Sequence, residues 1–277
     1  MAPKDKADSG EVTVMTVERG KATFHLVGTA PMLHNCMSQK AMQELLLPTG
    51  RKTEADKKTS LKHKPLEEFR DSVYFDKDDD GPTHIQHLSS AFRGAMRSAA
   101  LDLPGVSKAE VGRLMWVEGE RVAIFGVPEM DMRIVRQAGM NRTPDVRTRC
   151  ILREWACSIT VSFTMPQLKL QSVANLLSAA GMYIGVGDYR NEKGAGNFGV
   201  FQIVSENDAT YQRILKTGGR EAQLEAMKDP GFYNEETERL YLWFNEAIKT
   251  HRTFQPAKTP KNGKSKTEVV PVEHYES

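Results

Sequence analysis

Six glycines fall within the nineteen residues from Gly181 to Gly199, and they lead straight into the apolar run Val200-Phe201. Glycine costs backbone entropy wherever it is not needed. A cluster therefore signals positive φ angles, or a backbone that something must approach closely. Arg190 and Lys193 lie inside the run. Basic residues there suit an anionic partner, since successive backbone N–H groups can form an anion-binding nest. A long solvated hairpin tip has the same composition, so the glycines alone leave both readings open.

The flanking periodicities show what the glycine run connects. Ala22, Phe24 and Leu26 alternate with polar residues in Lys21–Gly28 and predict a strand. Leu88, Phe92, Ala95, Met96 and Ala99 are spaced as a helical stripe over 84–101. A second strand is expected over 120–127. The cleanest alternation, Trp155, Cys157, Ile159, Val161 and Phe163, predicts a third. A helix from Leu168 to about Ile184 carries Val173, Leu176, Leu177 and Ala180 in register, and a fourth strand runs from Phe198 to Val204. The order strand-helix-strand-strand-helix-strand is that of an α+β, ferredoxin-like or RRM-like antiparallel sheet with both helices on one face. Such a sheet leaves its other face open for binding.

This core is expected over 11–205, with insertions at 45–83 and 128–154. A helical extension follows over 206–255, broken at Asp229-Pro230-Gly231. Residues 1–10 and 256–277 are polar and read as disordered tails. The extension carries Tyr241, Leu242, Trp243, Phe244 and Ile248, apolar enough to suggest an oligomer or partner contact.

The formal net charge is only +2 over 277 residues, so any nucleic-acid role must come from local clustering. Residues 133–153 supply one. Arg133, Arg136, Arg142, Arg147, Arg149 and Arg153 face a single acid, Asp145. Gly139 and Pro144 interrupt the segment, so it reads as a protruding hairpin. The arginine fork suits phosphate oxygens and stacks on bases. It would equally pair with protein acids. In the predicted first helix Gln86, Ser90, Arg93 and Arg97 share a polar ridge, fit either for a phosphate backbone or for water.

Other classes find little support. Three scattered cysteines without metal spacing fit a reducing cytoplasm, the first residues have no signal-peptide pattern, and no apolar run approaches membrane-spanning length. The glycine run lacks the Gly-Lys-Ser/Thr of a nucleotide-hydrolysing loop and enters a strand. His34, and an aspartate loop at Asp76–Asp80, are the candidates for an endoribonuclease alternative. No partner acid or nucleophile accompanies His34 in the sequence. His84 and His87 are spaced as a conceivable metal pair, but helix-capping chemistry explains them more simply. No catalytic residue, metal or cofactor is assigned.

Two motifs give the chain a family resemblance. Ile85-Gln-His-Leu-Ser89-Ser90-Ala-Phe-Arg93-Gly94-Ala-Met-Arg97-Ser98 is similar to the helix motif of the RAMP superfamily, in particular of backbone subunits of CRISPR effector complexes and phage-borne relatives. The stretch Gly185–Phe201 resembles that family's C-terminal glycine-rich loop, and the 133–153 segment sits where such subunits carry a thumb-like hairpin. The resemblance spans about 20–205. It implies a homo-oligomer that polymerises along single-stranded RNA or DNA, with the hairpin inserted between nucleotides. Ser90, Arg93 and Arg97 would then face phosphates. The loop around Gly187, Arg190, Lys193, Gly196 and Asn197 would cradle them, and Tyr189 and Phe198 would stack on bases.

Overall fold

The structure, a computed structural model, describes residues 16–47, 63–76, 80–136, 144–193 and 196–253. The tails, Arg142, Lys77–Asp79 and the whole basic stretch 51–62 lie outside them, and so does the side chain of Lys193.

The chain opens with β1 (Glu18–Gly28), β2 (Met32–Leu33) and α1 (Gln39–Leu46), then α2 (Pro65–Asp71), β3 (Tyr74–Phe75) and β4 (Ile85–Leu88). Next come α3 (Ser89–Ala99), α4 (Lys108–Leu114), β5 (Met115–Val117) and β6 (Arg121–Phe125). A long pair follows, β7 (Pro128–Arg136) and β8 (Pro144–Leu152), then β9 (Ala156–Met165) and α5 (Leu170–Ala179). The last elements are β10 (Phe201–Val204), α6 (Ala209–Thr217), α7 (Arg220–Lys228), β11 (Gly231–Phe232) and α8 (Glu235–Thr253).

The architecture is α+β, built on two sheets. The larger has seven strands in the order β10-β1-β9-β6-β4-β3, with β5 also paired to β9; the smaller runs β11-β7-β8-β2. The four predicted strands are all present and stand side by side as β10, β1, β9 and β6, each antiparallel to its neighbour. Phe24, Leu26, Cys157, Ile159 and Val161 point to one face, where Phe92 and Met96 of α3 and Val173 and Leu177 of α5 complete a single core. Burying each such side chain contributes about 1.5–3 kcal/mol.

Three expectations need correction. The stretch 84–101 is not one helix: Ile85 and His87 are buried in alternation as strand β4, and the helix starts at Ser89. Leu88 fits the helical stripe only because it lies four residues before Phe92. Gln86 consequently leaves the helical ridge. The helix expected to reach Ile184 is α-helical only to Ala179 and then widens into a π turn, Ala180–Ile184. Finally, the second sheet face is not wholly open. Tyr211 and Ile214 of α6 pack there on Val27 and Ala156, and the Tyr211 hydroxyl lies 3.1 Å from His25 Nδ1.

Helices α6 and α7, after residue 205, are packed into the core. Gln223 of α7 is fully buried; its Oε1 accepts from the N–H groups of His84 (2.8 Å) and Ile85 (2.9 Å), while Nε2 donates to Ile124 O at 2.8 Å. One amide thus ties α7 to β4 and β6, and leaving such groups unpaired would cost about 1–3 kcal/mol each. The chain divides into two units after Tyr241. The unit Leu242–Ser277 includes the last turns of α8, where Leu242 and Trp243 are exposed.

Two glycines show opposite reasons for their presence. Gly199 has φ +74, and a methyl group there would run into the carbonyl of Val186. Gly94 sits mid-helix in α3 with nothing within 4 Å of a built Cβ. Gly199→Ala should cost about 2–3 kcal/mol, whereas Gly94→Ala should gain about 0.5–1 kcal/mol. Urea melts of the two variants check the contrast, and equal midpoints would contradict it.

Candidate nucleic-acid interface

β7 and β8 form the hairpin that the arginine-rich segment suggests, with nine paired positions from Pro128↔Leu152 to Arg136↔Pro144. Period-two alternation puts Asp131, Arg133 and Val135 on one face of this arm, opposite Arg149, Arg147 and Asp145. Arg136 belongs to the other face, beside the exposed Ile134.

The glycine run meets the arm at its root. β2 is the link: Leu33 pairs with Ile151 of β8, and its carbonyl accepts from Asp188 N–H at 2.8 Å. Further donors in the run are also spent internally. Gly185 N–H goes to Ala180 O, Val186 N–H to Gly199 O and Gly199 N–H to Pro31 O. The glycines therefore permit close backbone crossings, with φ +76 at Gly185 and +87 at Gly187. These committed N–H groups are not available as the phosphate nest that the composition suggests.

The run instead presents side chains. Tyr189 and Phe198 stand with ring centroids 6.0 Å apart, and the Arg133 guanidinium lies 5.3 Å from the Phe198 centroid. Tyr189 has φ +53, uncommon for a bulky residue and costing roughly 1–2 kcal/mol. The backbone of Gly196 passes so close to the Tyr189 carbonyl that a Cβ would not fit. Asn197 is exposed between them. Together with the arm, Asp188, Tyr189 and Phe198 line a cavity of about 880 Å³. Its other wall is Tyr233, Asn234, Glu236 and Thr237, at the start of α8. Sequence reading misses this wall, because only tertiary packing brings it near: Tyr233 N–H donates to Met130 O, and Thr237 Oγ1 accepts from Met132 N–H.

The arm's charge is quieter than its composition. Arg133 Nε donates to the buried Asp131 at 2.7 Å, Arg149 pairs with Asp188 at 2.6 Å, and Arg153 pairs with Glu129 at 2.8 Å. Arg147 lies 3.9 Å from Asp145. Three of these acids fall outside the stretch 133–153 and join it only in the fold. Arg136 has no ion pair among the described residues. Arg190 is held by Glu192 at 2.7 Å and by the Gly187 carbonyl at 2.9 Å; Glu192 also accepts from Ser98 of α3 at 2.6 Å.

The helix ridge does not join the cavity. Arg93 Nε donates to Met115 O at 3.1 Å and a second nitrogen reaches Gly112 O, so this guanidinium braces α3 against α4 and β5. Arg97 packs on Gly112 of α4. Ser90 remains exposed.

His34 is enclosed. It follows Leu33 of β2, fully buried, with both ring nitrogens unpartnered and its ring 5.5 Å from that of His87. Burial and the neighbouring His87 push its pKa down to about 3; burial, then Arg190, lowers His87 to about 4. Neither ring reaches the surface. Among the described residues no three His, Cys, Asp or Glu side chains are grouped to hold a metal. Because both rings bind protons more weakly when folded, stability is full above pH 6.5 and falls as the pH drops towards 4. The slope approaches about 1.4 kcal/mol per pH unit per ring. Urea unfolding between pH 7.5 and 5 should show this fall, and His34→Leu should flatten it. An unchanged slope in that variant would refute the assignment.

No family model matches this chain, and no curated protein does. Among solved structures it is similar to one chain in a cryo-EM structure of the type III-B Cmr-beta bound to cognate target RNA, at 9% identity and a TM-score of 0.33. The match covers 68% of this chain and 59% of that one, so this chain spans less than two-thirds of its neighbour's length. No helix among the described residues is long and apolar enough to cross a membrane.

Proposed function

We propose that this protein binds single-stranded nucleic acid, RNA or DNA, with little sequence preference, through the face of the arm and the aromatic pair of the glycine run. The observation that carries the reading is their convergence. Arg133, Arg147 and Arg149 from one segment, and Tyr189 and Phe198 from another about forty residues on, line the same cavity. Cations beside exposed rings are what sequence-tolerant strand binding needs, because every base offers a π-face and every unit a phosphate. Ile134, apolar and exposed on the arm, suits a wedge between neighbouring bases.

The four adjacent strands β10-β1-β9-β6 are read as a ferredoxin-like core, and the chain as a RAMP-type protein acting in the cytoplasm. That reading carries with it side-by-side oligomerisation along the strand. Negative-stain images with a long strand test it: filaments or rings are expected, and dispersed monomers would count against assembly. No catalytic step is assigned, since His34 is enclosed.

Because the arm's arginines are largely paired, salt dependence should be moderate, with Arg136 and Arg147 supplying most of it. Fluorescence anisotropy with labelled single-stranded RNA and DNA across a salt series is the test. Arg136→Ala combined with Arg147→Ala should flatten the log–log slope by about 1–1.5, close to 0.7 for each phosphate left without its arginine. Absence of binding to either probe at low salt would overturn the proposal.

A further inference from the structure

We infer that the cavity at the root of the arm is a single-nucleotide pocket. It takes one nucleoside monophosphate unit, with the base against Tyr189 and Phe198 and the phosphate towards Arg147 and Arg149. This deepens the strand-binding reading and rests on it. It adds that one unit per protein is enclosed, and that a free nucleotide occupies the same place.

Four observations bear on this. The first is size: about 880 Å³ holds a base, a sugar and a phosphate, and lies within the range of small-molecule sites. The second is strain. Tyr189 is the one non-glycine residue with positive φ among those described, and that backbone turn sets its ring beside Phe198 at the cavity. A bulky residue kept in this conformation at a cavity wall points to a use for the side chain there.

The third observation is a buried cation at the wall. The Arg149 side chain is only 7% exposed, and one terminal nitrogen holds Asp188. A guanidinium so withdrawn from water interacts with an anion more strongly than a solvated one does. The fourth is charge. Four arginines (Arg136 among them, bordering the cavity from the arm's other face) and three carboxylates (Asp131, Asp188 and Glu236) line the cavity, a surplus of one positive charge. Asp131 and Asp188 are already paired with Arg133 and Arg149, so they do not stand bare against an incoming anion. A surplus of one suits one phosphate rather than a track of several. Arg133, fixed by Asp131 over the Phe198 ring, makes that wall rigid before any ligand arrives.

Calorimetric and saturation-transfer NMR titrations of the full chain with AMP, CMP, adenosine and inorganic phosphate test the inference. Both nucleotides should bind, and each should bind more tightly than adenosine or phosphate alone. Tyr189→Asn should weaken AMP by roughly fivefold or more, the size of one lost base–aromatic stack. Asparagine tolerates the positive φ, so the backbone should be kept; the melting temperature of this variant checks it. As a second readout on the unaltered protein, a single 2-aminopurine in a bound strand should change its fluorescence on binding.

Phosphate binding as tightly as AMP would overturn the pocket in favour of an anion site. Strands that bind while neither free nucleotide nor 2-aminopurine responds would overturn it too, leaving the strand-binding reading intact. If strand and nucleotide both fail to bind, both readings fall.

Discussion

The site depends on how the glycine run is sewn to β2. Asp188 N–H bonds the carbonyl of Leu33, and Gly199 N–H bonds that of Pro31, while β2 itself pairs with the root of the arm. Three short segments far apart in sequence are thereby fixed at hydrogen-bond distance. Only glycine allows the crossing at Gly199, where a Cβ would meet the Val186 carbonyl. The Arg149–Asp188 pair and the rings of Tyr189 and Phe198 inherit their positions from this backbone framework. The glycines matter here as places where main chains touch, and the side chains between them do the presenting.

Electrostatics in the fold differ from electrostatics along the chain. Counting charges over 133–153 isolates the arginines from Glu129 and Asp131 just upstream and from Asp188 about forty residues on, yet those acids are the ones they meet. A buried arginine needs such a partner, because a desolvated, unpaired guanidinium is costly. Part of the arm's charge therefore holds the arm in shape. What faces solvent is a smaller charge on rigid supports, which favours recognition of a few groups over a long electrostatic track.

Much of the core is legible because its signal is local. The alternation from Trp155 to Phe163 and the stripe Val173, Leu176, Leu177 each declare one buried face within ten residues. Misreadings arise where a residue of one element falls in phase with the next, as at Leu88, a strand residue that happens to lie four before Phe92 of the helix. The arm is visible as a hairpin, but its face is not, since two-residue alternation there separates Arg136 from Arg133 and Arg147. Gln223 gives no sign at all: a lone glutamine in an amphipathic helix looks like a surface residue until its amide is seen spanning β4 and β6. The wall formed by Tyr233 and Thr237 is hidden for the same reason, as it is set by contacts across about a hundred residues of chain. Arg93 and Arg97 stand out in the sequence as a basic ridge, yet carbonyl acceptors on neighbouring elements take up Arg93.

The arm also exposes the chain to self-association. β11 and β2 flank only the root of the arm; over Arg133–Arg136 and Pro144–Arg149 the two strands pair with no other described strand. A two-stranded ribbon with open edges is a template for a stray strand from another molecule. Ile134 and Val146 would favour such pairing; Pro144, which has no N–H to offer, and the charged rungs Arg136 and Arg147 oppose it. Charge on the ribbon thus acts as a gatekeeper against aggregation, and replacing these arginines with apolar residues would lower solubility.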